Sequence, residues 1–288
     1  MDHRVKFSFL PKTATAPFCP PEVAGSVAVD PRASFFKRVL RFAGPGLLVS
    51  IGYMDPGNWA TAIEAGSRFG YSLLFVVLLA SLAGMVVQCL CSRLGIATGR
   101  DLAQLSRERY STRTARTQWF LAEISIIATD LAEVLGCALA FHLLLGCSLT
   151  FGIALTAFDT LLVLALQNRG FRRLEAIMLV LVGTIGACFF VELLLIKPYW
   201  PDVAGGFTPS LAAIGDAAPL YLAIGILGAT VMPHNLYLHT SIVQTRLIGK
   251  DLTSKQDAVK LARIDTIGSL ALAPVSYTHL TLPTNREV

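Results

Sequence analysis

Two short stretches of this 288-residue sequence combine helix breakers with side chains that can bind a metal ion. The first is GYMDPGN at residues 52–58, and the second is ATVMPHN at residues 229–235. Both contain the pattern Pro-x-Asn, preceded by a potential ligand, Asp55 in one and Met232 in the other. Each lies within a long apolar segment, where polar groups are costly unless they have a function. The repeated pattern predicts two broken helices that share one polar site.

The first motif can supply oxygen ligands for a cation. Pro56 removes a backbone donor and Gly57 lets the chain depart from helical geometry. Asp55 and Asn58 provide a charged and a neutral oxygen, which suit a hard or borderline divalent cation. The alternative is a proline kink in which Asp55 pairs with another helix. No Lys or Arg lies at the expected depth of any apolar span, which weakens that alternative.

The second motif adds a soft ligand, the thioether of Met232. Beside oxygen ligands it favours Mn, Fe, Co or Cd over Ca and Mg. A lone methionine in an apolar helix usually only fills space, but its place in the repeated motif favours a ligand role. The break can also free a backbone carbonyl, which we assign to Ala229. His234 and His239 could carry protons, or they could form hydrogen bonds within a helix bundle.

A third apolar segment carries an acidic stripe. Glu123, Asp130 and Glu133 are separated by 7 and 3 residues, which places them within roughly 80° around a helix. Carboxylates on one apolar helix are costly unless they face water or partners. The stripe is consistent with a proton pathway, and also with ion pairs to helices outside this sequence.

The composition is that of an integral membrane protein. Hydrophobic residues make up 54% of the sequence, charged residues 15%, and the mean hydropathy is +0.61. The net charge of +5 comes from basic residues in short loops, a pattern of membrane topology rather than of nucleic-acid binding. The six cysteines lack the spacing of a zinc site. We therefore expect the lipid bilayer as a partner and no nucleic acid.

The apolar segments predict six spans and a shortened seventh. Basic residues are concentrated in the second, fourth and sixth connections and before the first span, so the N-terminus is expected in the cytoplasm. An inverted pair of five-helix repeats would place a broken helix first in each half. The predicted spans are 44–66, 71–91, 118–145, 148–167, 175–197, 217–245 and 260–274.

These segments divide the chain into three regions. Residues 1–34 are interpreted as a cytoplasmic N-terminal tail without secretory-signal character. Residues 35–274 are interpreted as an incomplete transmembrane domain. Residues 275–288 lose the apolar pattern, and we interpret them as a non-native tail resembling vector read-through, with a genuine short tail as the alternative.

The pairing of DPGN at residues 55–58 with MPHN at residues 232–235 resembles the Nramp family of proton-coupled divalent metal-ion transporters, close to the bacterial manganese importers. The resemblance covers about residues 36–275. It implies an all-α integral membrane fold of leucine-transporter-like inverted five-helix repeats, with the first repeat, helix six and part of helix seven present. It implies metal ligation by Asp55, Asn58, the Ala229 carbonyl and the Met232 sulfur. It also implies proton transfer by Asp55, Asp130, Glu133, Glu123, His234 and His239.

The expected function is proton-coupled symport of Mn²⁺, and also of Fe²⁺ and similar ions, into the cytoplasm across the cell membrane. We expect no enzymatic activity and no cofactor, since the metal ions and protons are substrates. A non-transporting receptor or signalling domain of the same fold is one alternative, and it would be expected to lose a ligand or gain a soluble extension. An organic-substrate symporter is another, and it would need free backbone amides for a carboxylate.

Overall fold

The computed structural model describes residues 24–167, 171–196, 198–211 and 214–271, and this part of the chain is mostly helical. A short parallel strand pair joins β1 (Val27–Ala28) to β2 (Arg246–Leu247). Single 3₁₀ turns cover Gly70–Leu73 and Val243–Thr245. The helices are α1 (Phe35–Phe42), α2 (Pro45–Gly52), α3 (Pro56–Phe69), α4 (Leu74–Thr98), α5 (Leu102–Arg109), α6 (Thr112–Leu145), α7 (Leu149–Gln167), α8 (Phe171–Ile196), α9 (Trp200–Gly206), α10 (Ala217–Thr230), α11 (Pro233–Ile242) and α12 (Leu252–Leu270).

The helices follow the predicted spans with small shifts. The first predicted span is the pair α2 and α3, and the sixth is the pair α10 and α11. The second span continues to Thr98, where Gly99 ends α4 in the left-handed conformation at φ 66°. Within the described residues, three segments are long and apolar enough to cross a membrane: Pro56–Thr98, Thr112–Leu145 and Ala217–Thr245.

The structure differs from the sequence prediction at both ends of the described chain. The helix of the seventh predicted span, α12, begins at Leu252 rather than at residue 260. Asp251 caps it by accepting a 2.8 Å hydrogen bond from the Ser254 N–H. That hydrogen bond lowers the pKa of Asp251. Residues 24–34 of the predicted N-terminal tail contain β1, which pairs with β2. Residues 1–23 and the predicted non-native tail at 275–288 lie outside the described residues.

Both predicted breaks are present. Helix α2 ends at Gly52 and α3 starts at Pro56, while α10 ends at Thr230 and α11 starts at Pro233. Each second half therefore starts with a proline, a residue suited to the first helical turn because its missing N–H would have no helical partner there.

The helices around the first break are held close by small residues. A Cβ atom at Gly46 of α2 would lie 2.8 Å from the backbone of Asp265 in α12. A Cβ atom at Gly136 of α6 would lie 2.6 Å from the carbonyl of Pro56. Such contacts between backbones are typical of helices packed in a membrane. Helices α12 and α6 thus fix the two halves of the first broken helix, α2 and α3.

Two buried charged side chains, Asp265 and Arg246, hold the junction between α1 and α2. The Asp265 carboxylate accepts hydrogen bonds from the N–H groups of Gly46 (2.7 Å) and Gly44 (3.3 Å), where the helix dipole favours negative charge. The Arg246 guanidinium donates to the carbonyls of Phe42 (2.9 Å) and Ala43 (2.8 Å). Two residues that are distant in sequence therefore supply the acceptor that the start of α2 lacks and the donor that the end of α1 lacks.

We predict that Arg246→Ala destabilises the complete protein by about 1.5–3 kcal/mol, because it removes charge-assisted hydrogen bonds to buried carbonyls. The measurement is thermal unfolding in detergent. Arg68→Ala is the matched control, since the ion pair of Arg68 with Glu64 is about half exposed and such pairs contribute less than about 1 kcal/mol. Equal unfolding temperatures for the two variants would refute the anchoring role of Arg246.

Candidate metal site

The first break forms a compact, buried polar group. Asp55 is 8% exposed and Asn58 is 3% exposed. The Asp55 carboxylate accepts hydrogen bonds from the backbone N–H of Asn58 and, at 3.0 Å, from its side-chain amide. The Asn58 amide nitrogen also lies 3.5 Å from the Tyr53 carbonyl. Asp55 is thus the N-cap of α3, where its negative charge is stabilised by the helix dipole.

The second break presents a sulfur atom and a carbonyl. Met232 is 1% exposed, and its sulfur accepts a 3.3 Å hydrogen bond from the Asn235 amide. The last hydrogen bond of α10 runs from the Val231 N–H to the Leu227 carbonyl. Pro233 lacks the N–H that would bind the Ala229 carbonyl in a continuous helix. The Ala229 carbonyl is therefore released from the helical ladder, as the sequence predicts.

The two breaks touch each other through Gly52 and Asn235. A Cβ atom at Gly52 would lie only 2.3 Å from the Asn235 amide nitrogen, so a larger residue there would displace the Asn235 amide. Asn235 also contacts the sulfur of Met232. One amide side chain therefore joins the end of α2 to the start of α11. The sequence motif contained both residues, but it did not reveal this contact.

Helix α6 lies along the first break and brings part of the acidic stripe to it. The Cβ atom of Ala132 is 3.2 Å from the position that a Cβ atom would occupy at Gly57. Glu133 interacts electrostatically with Asp55 and with Asp130. Asp130 in turn interacts electrostatically with His234. The structure thus brings Asp130, Glu133 and His234 towards Asp55.

Glu123 lies farther away from the break. It precedes Glu133 by ten residues on the same helix, which corresponds to roughly 15 Å along the axis. In the described part of the chain, Glu123 and Glu133 are half-buried and Asp130 is exposed. The acidic stripe therefore runs from the first break along α6.

His239 belongs to a chain of buried polar side chains that the sequence interpretation did not include. Its Nδ1 atom is 2.8 Å from Oε1 of Gln88, and Nε2 of Gln88 donates to the Tyr53 hydroxyl at 3.3 Å. Among the described residues, Nε2 of His239 and Nδ1 of His234 are buried without a hydrogen-bond partner. A lone glutamine in the apolar sequence of α4 was the signal that could have identified Gln88.

Within the described residues, no group of three or more His, Cys, Asp or Glu side chains could hold a metal ion. The expected ligand set is of another kind, since it combines the Asp55 carboxylate, the Asn58 amide, the Ala229 carbonyl and the Met232 thioether. This four-ligand set remains a prediction. What the geometry adds is that its two halves belong to breaks in direct contact.

Comparison with known proteins gives a match over most of the chain. Residues 46–278 match the family model "Nramp: Natural resistance-associated macrophage protein-like". The chain is 71% identical to "Divalent metal cation transporter MntH 1" of Pseudomonas aeruginosa, over 93% of this chain and 61% of that protein. It is 67% identical to "Divalent metal cation transporter MntH" of Ralstonia nicotianae, over 92% of this chain and 60% of that protein. The chain thus spans about 60% of the length of these relatives.

The fold is similar to that of a solved transporter. The crystal structure of the Eremococcus coleocola manganese transporter in complex with an aromatic bis-isothiourea substituted compound superposes with a TM-score of 0.79. The sequences are 39% identical, and the match covers 91% of this chain and 55% of that chain. The predicted all-α, leucine-transporter-like membrane fold is confirmed. On the family match and these relatives, the chain belongs to the Nramp family.

Proposed function

We propose that the complete protein imports divalent transition-metal ions, Mn²⁺ and also Fe²⁺, by symport with protons. The observation that carries this proposal is the contact between Gly52 and Asn235, because it joins the two broken helices that hold the expected ligands. The relatives named as divalent metal cation transporters, and the solved protein named as a manganese transporter, support the substrate class.

The proposed ligands suit a borderline metal ion. Asp55 supplies the negative charge, and the Asn58 oxygen and the Ala229 carbonyl are neutral ligands. The Asn58 amide nitrogen is used in contacts with Asp55 and Tyr53, which leaves the amide oxygen as the ligand atom. The Met232 sulfur favours Mn²⁺ and Fe²⁺ over Ca²⁺ and Mg²⁺, which prefer shells made only of oxygen.

Protons are proposed to move through the groups next to the metal ligands. Asp55 can exchange a proton for the metal ion, and Glu133 and Asp130 continue the path along α6 towards Glu123. His234 interacts electrostatically with Asp130, so it can receive a proton from the same path. His239 is placed differently, because it connects through Gln88 to Tyr53 at the end of α2.

Release into the cytoplasm is proposed to involve movement of α2. In inverted-repeat transporters, alternating access arises from the movement of one helix bundle against the other around the site. Asp265 binds the start of α2, and Arg246 binds the end of α1 directly before it. A moving α2 must therefore either carry these partners with it or break their hydrogen bonds. Both options couple the cytoplasmic end of the first broken helix to α12.

The site also weighs against the two other functions considered for this fold. A receptor would be expected to lose a ligand, whereas Asp55, Asn58 and Met232 are all present and buried. An organic-substrate carrier would need free backbone amides for a carboxylate. The N–H of Asn58 is instead bound to the Asp55 side chain. These contacts support a metal ion as the substrate.

We predict that Asp55→Ala weakens Mn²⁺ binding by more than about tenfold and reduces uptake into proteoliposomes to background, because it removes the charged ligand. Calorimetry and radioactive Mn²⁺ uptake by the complete protein measure the two effects. Glu64→Ala is the control, since Glu64 lies on the same helix but is half exposed and paired with Arg68. Wild-type uptake by a correctly folded Asp55→Ala protein would show that the site assignment is wrong.

We further predict that Glu133→Gln keeps Mn²⁺ binding but lowers the stimulation of uptake by an inward proton gradient. The change preserves the size of the side chain and removes its ability to titrate. The measurement is the ratio of Mn²⁺ uptake with an inward proton gradient to Mn²⁺ uptake without it. Glu64→Gln is the control variant. The proposed proton path would be refuted if both variants retained the same stimulation as the unaltered protein.

A further inference from the structure

Helix α1 presents two different exposed edges. Phe36 and Leu40 are 76% and 69% exposed and lie four residues apart, so they form one apolar edge. Lys37 and Arg41, also four residues apart and exposed, form the next edge around the helix. A helix of only eight residues thus carries large apolar side chains directly beside two cations.

The third face of α1 packs against the rest of the protein. Phe42 is 1% exposed and packs with Ile96 and Leu261 in a buried apolar cluster. Val39 packs against the same cluster, and Arg38 pairs with Asp257 of α12. These contacts fix the rotation of α1. The apolar edge and the basic edge therefore point away from the protein.

The position of α1 places these edges at a membrane surface. Only Ala43 and Gly44 separate α1 from α2, so the two helices are within roughly 11 Å of each other along the chain. The first predicted span begins at residue 44. A helix at that level meets the boundary between acyl chains and lipid headgroups.

We propose that α1 is a membrane-surface helix that binds anionic phospholipids of the adjacent leaflet. Phe36 and Leu40 insert into the boundary region, where apolar side chains are buried below the headgroups. Lys37 and Arg41 bind the lipid phosphates, because basic residues next to a membrane are attracted to anionic lipids. A zwitterionic surface carries no net negative charge that would match these two cations.

Lipid binding at α1 would act on the transport machinery through existing contacts. The buried face of α1 packs against α12, and α12 supplies Asp265 to the start of α2. The same cluster includes Phe42, whose carbonyl is bound by Arg246. Anionic lipids would therefore fix the depth of α1 at the membrane surface and, with it, the position of the start of the first broken helix.

The test places a fluorescent reporter on the apolar edge. The complete protein with Phe36→Trp is reconstituted in vesicles of phosphatidylcholine and phosphatidylglycerol, with bromine on the acyl chains of only one lipid. The emission of the protein without the substitution is subtracted. We expect both brominated lipids to quench the added tryptophan. Brominated phosphatidylglycerol should quench it more strongly than brominated phosphatidylcholine. Leu40→Trp is a second reporter on the same edge.

Charge reversal identifies the residues responsible. Lys37→Glu with Arg41→Glu should lower the preference for phosphatidylglycerol by about fivefold per residue. Lys250→Glu, at an exposed position between β2 and α12, should leave that preference unchanged. Equal quenching by the two lipids would overturn the proposal, and so would a reporter quenched only by a water-soluble agent. If the tryptophan were protected from the water-soluble quencher only in cross-linked dimers, a second copy of the chain, and not lipid, would cover the apolar edge.

Discussion

Polar groups within an apolar helix bundle need partners, and the structure around Asp55 follows from that constraint. Pro56 interrupts the first helix, and Asp55 caps the helix that follows by binding the N–H and the amide of Asn58. The second break has a corresponding arrangement, in which Asn235 binds the sulfur of Met232. Because Gly52 has no side chain, Asn235 can reach the first break. Each break thus provides partners for its own polar groups, and Asn235 of the second break contacts the end of α2 at the first.

The sequence predicted the breaks because their cause is local. Proline and glycine act on their own backbone, so Pro56 and Pro233 located both interruptions within the spans. The expected ligands flank these prolines and could be named before the fold was known. The acidic residues of α6 were predicted for a similar reason, since helical spacing alone puts Asp130 and Glu133 on one face.

Contacts between distant residues were beyond the sequence interpretation. Gln88 connects His239 with Tyr53, and nothing local to any of the three indicates that pairing. Asp265 holds the start of α2 and Arg246 holds the end of α1, both from positions about 200 residues away. The early start of α12 was missed because charged residues in its first turns hide the apolar pattern. For Gln88, Asp265 and Arg246, the deciding partner comes from tertiary packing, whereas the start of α12 is set by the local cap at Asp251.

In the proposed metal site, the two breaks together bind one transition-metal ion through oxygen atoms and the Met232 sulfur. X-ray absorption spectroscopy of the complete protein loaded with Cd²⁺ tests it directly. We expect one sulfur neighbour among oxygen neighbours. It should be lost in Met232→Ala and retained in Met85→Ala, because Met85 packs against the apolar core. A shell made only of oxygen in the unaltered protein, or a sulfur neighbour that persists in Met232→Ala, would contradict it.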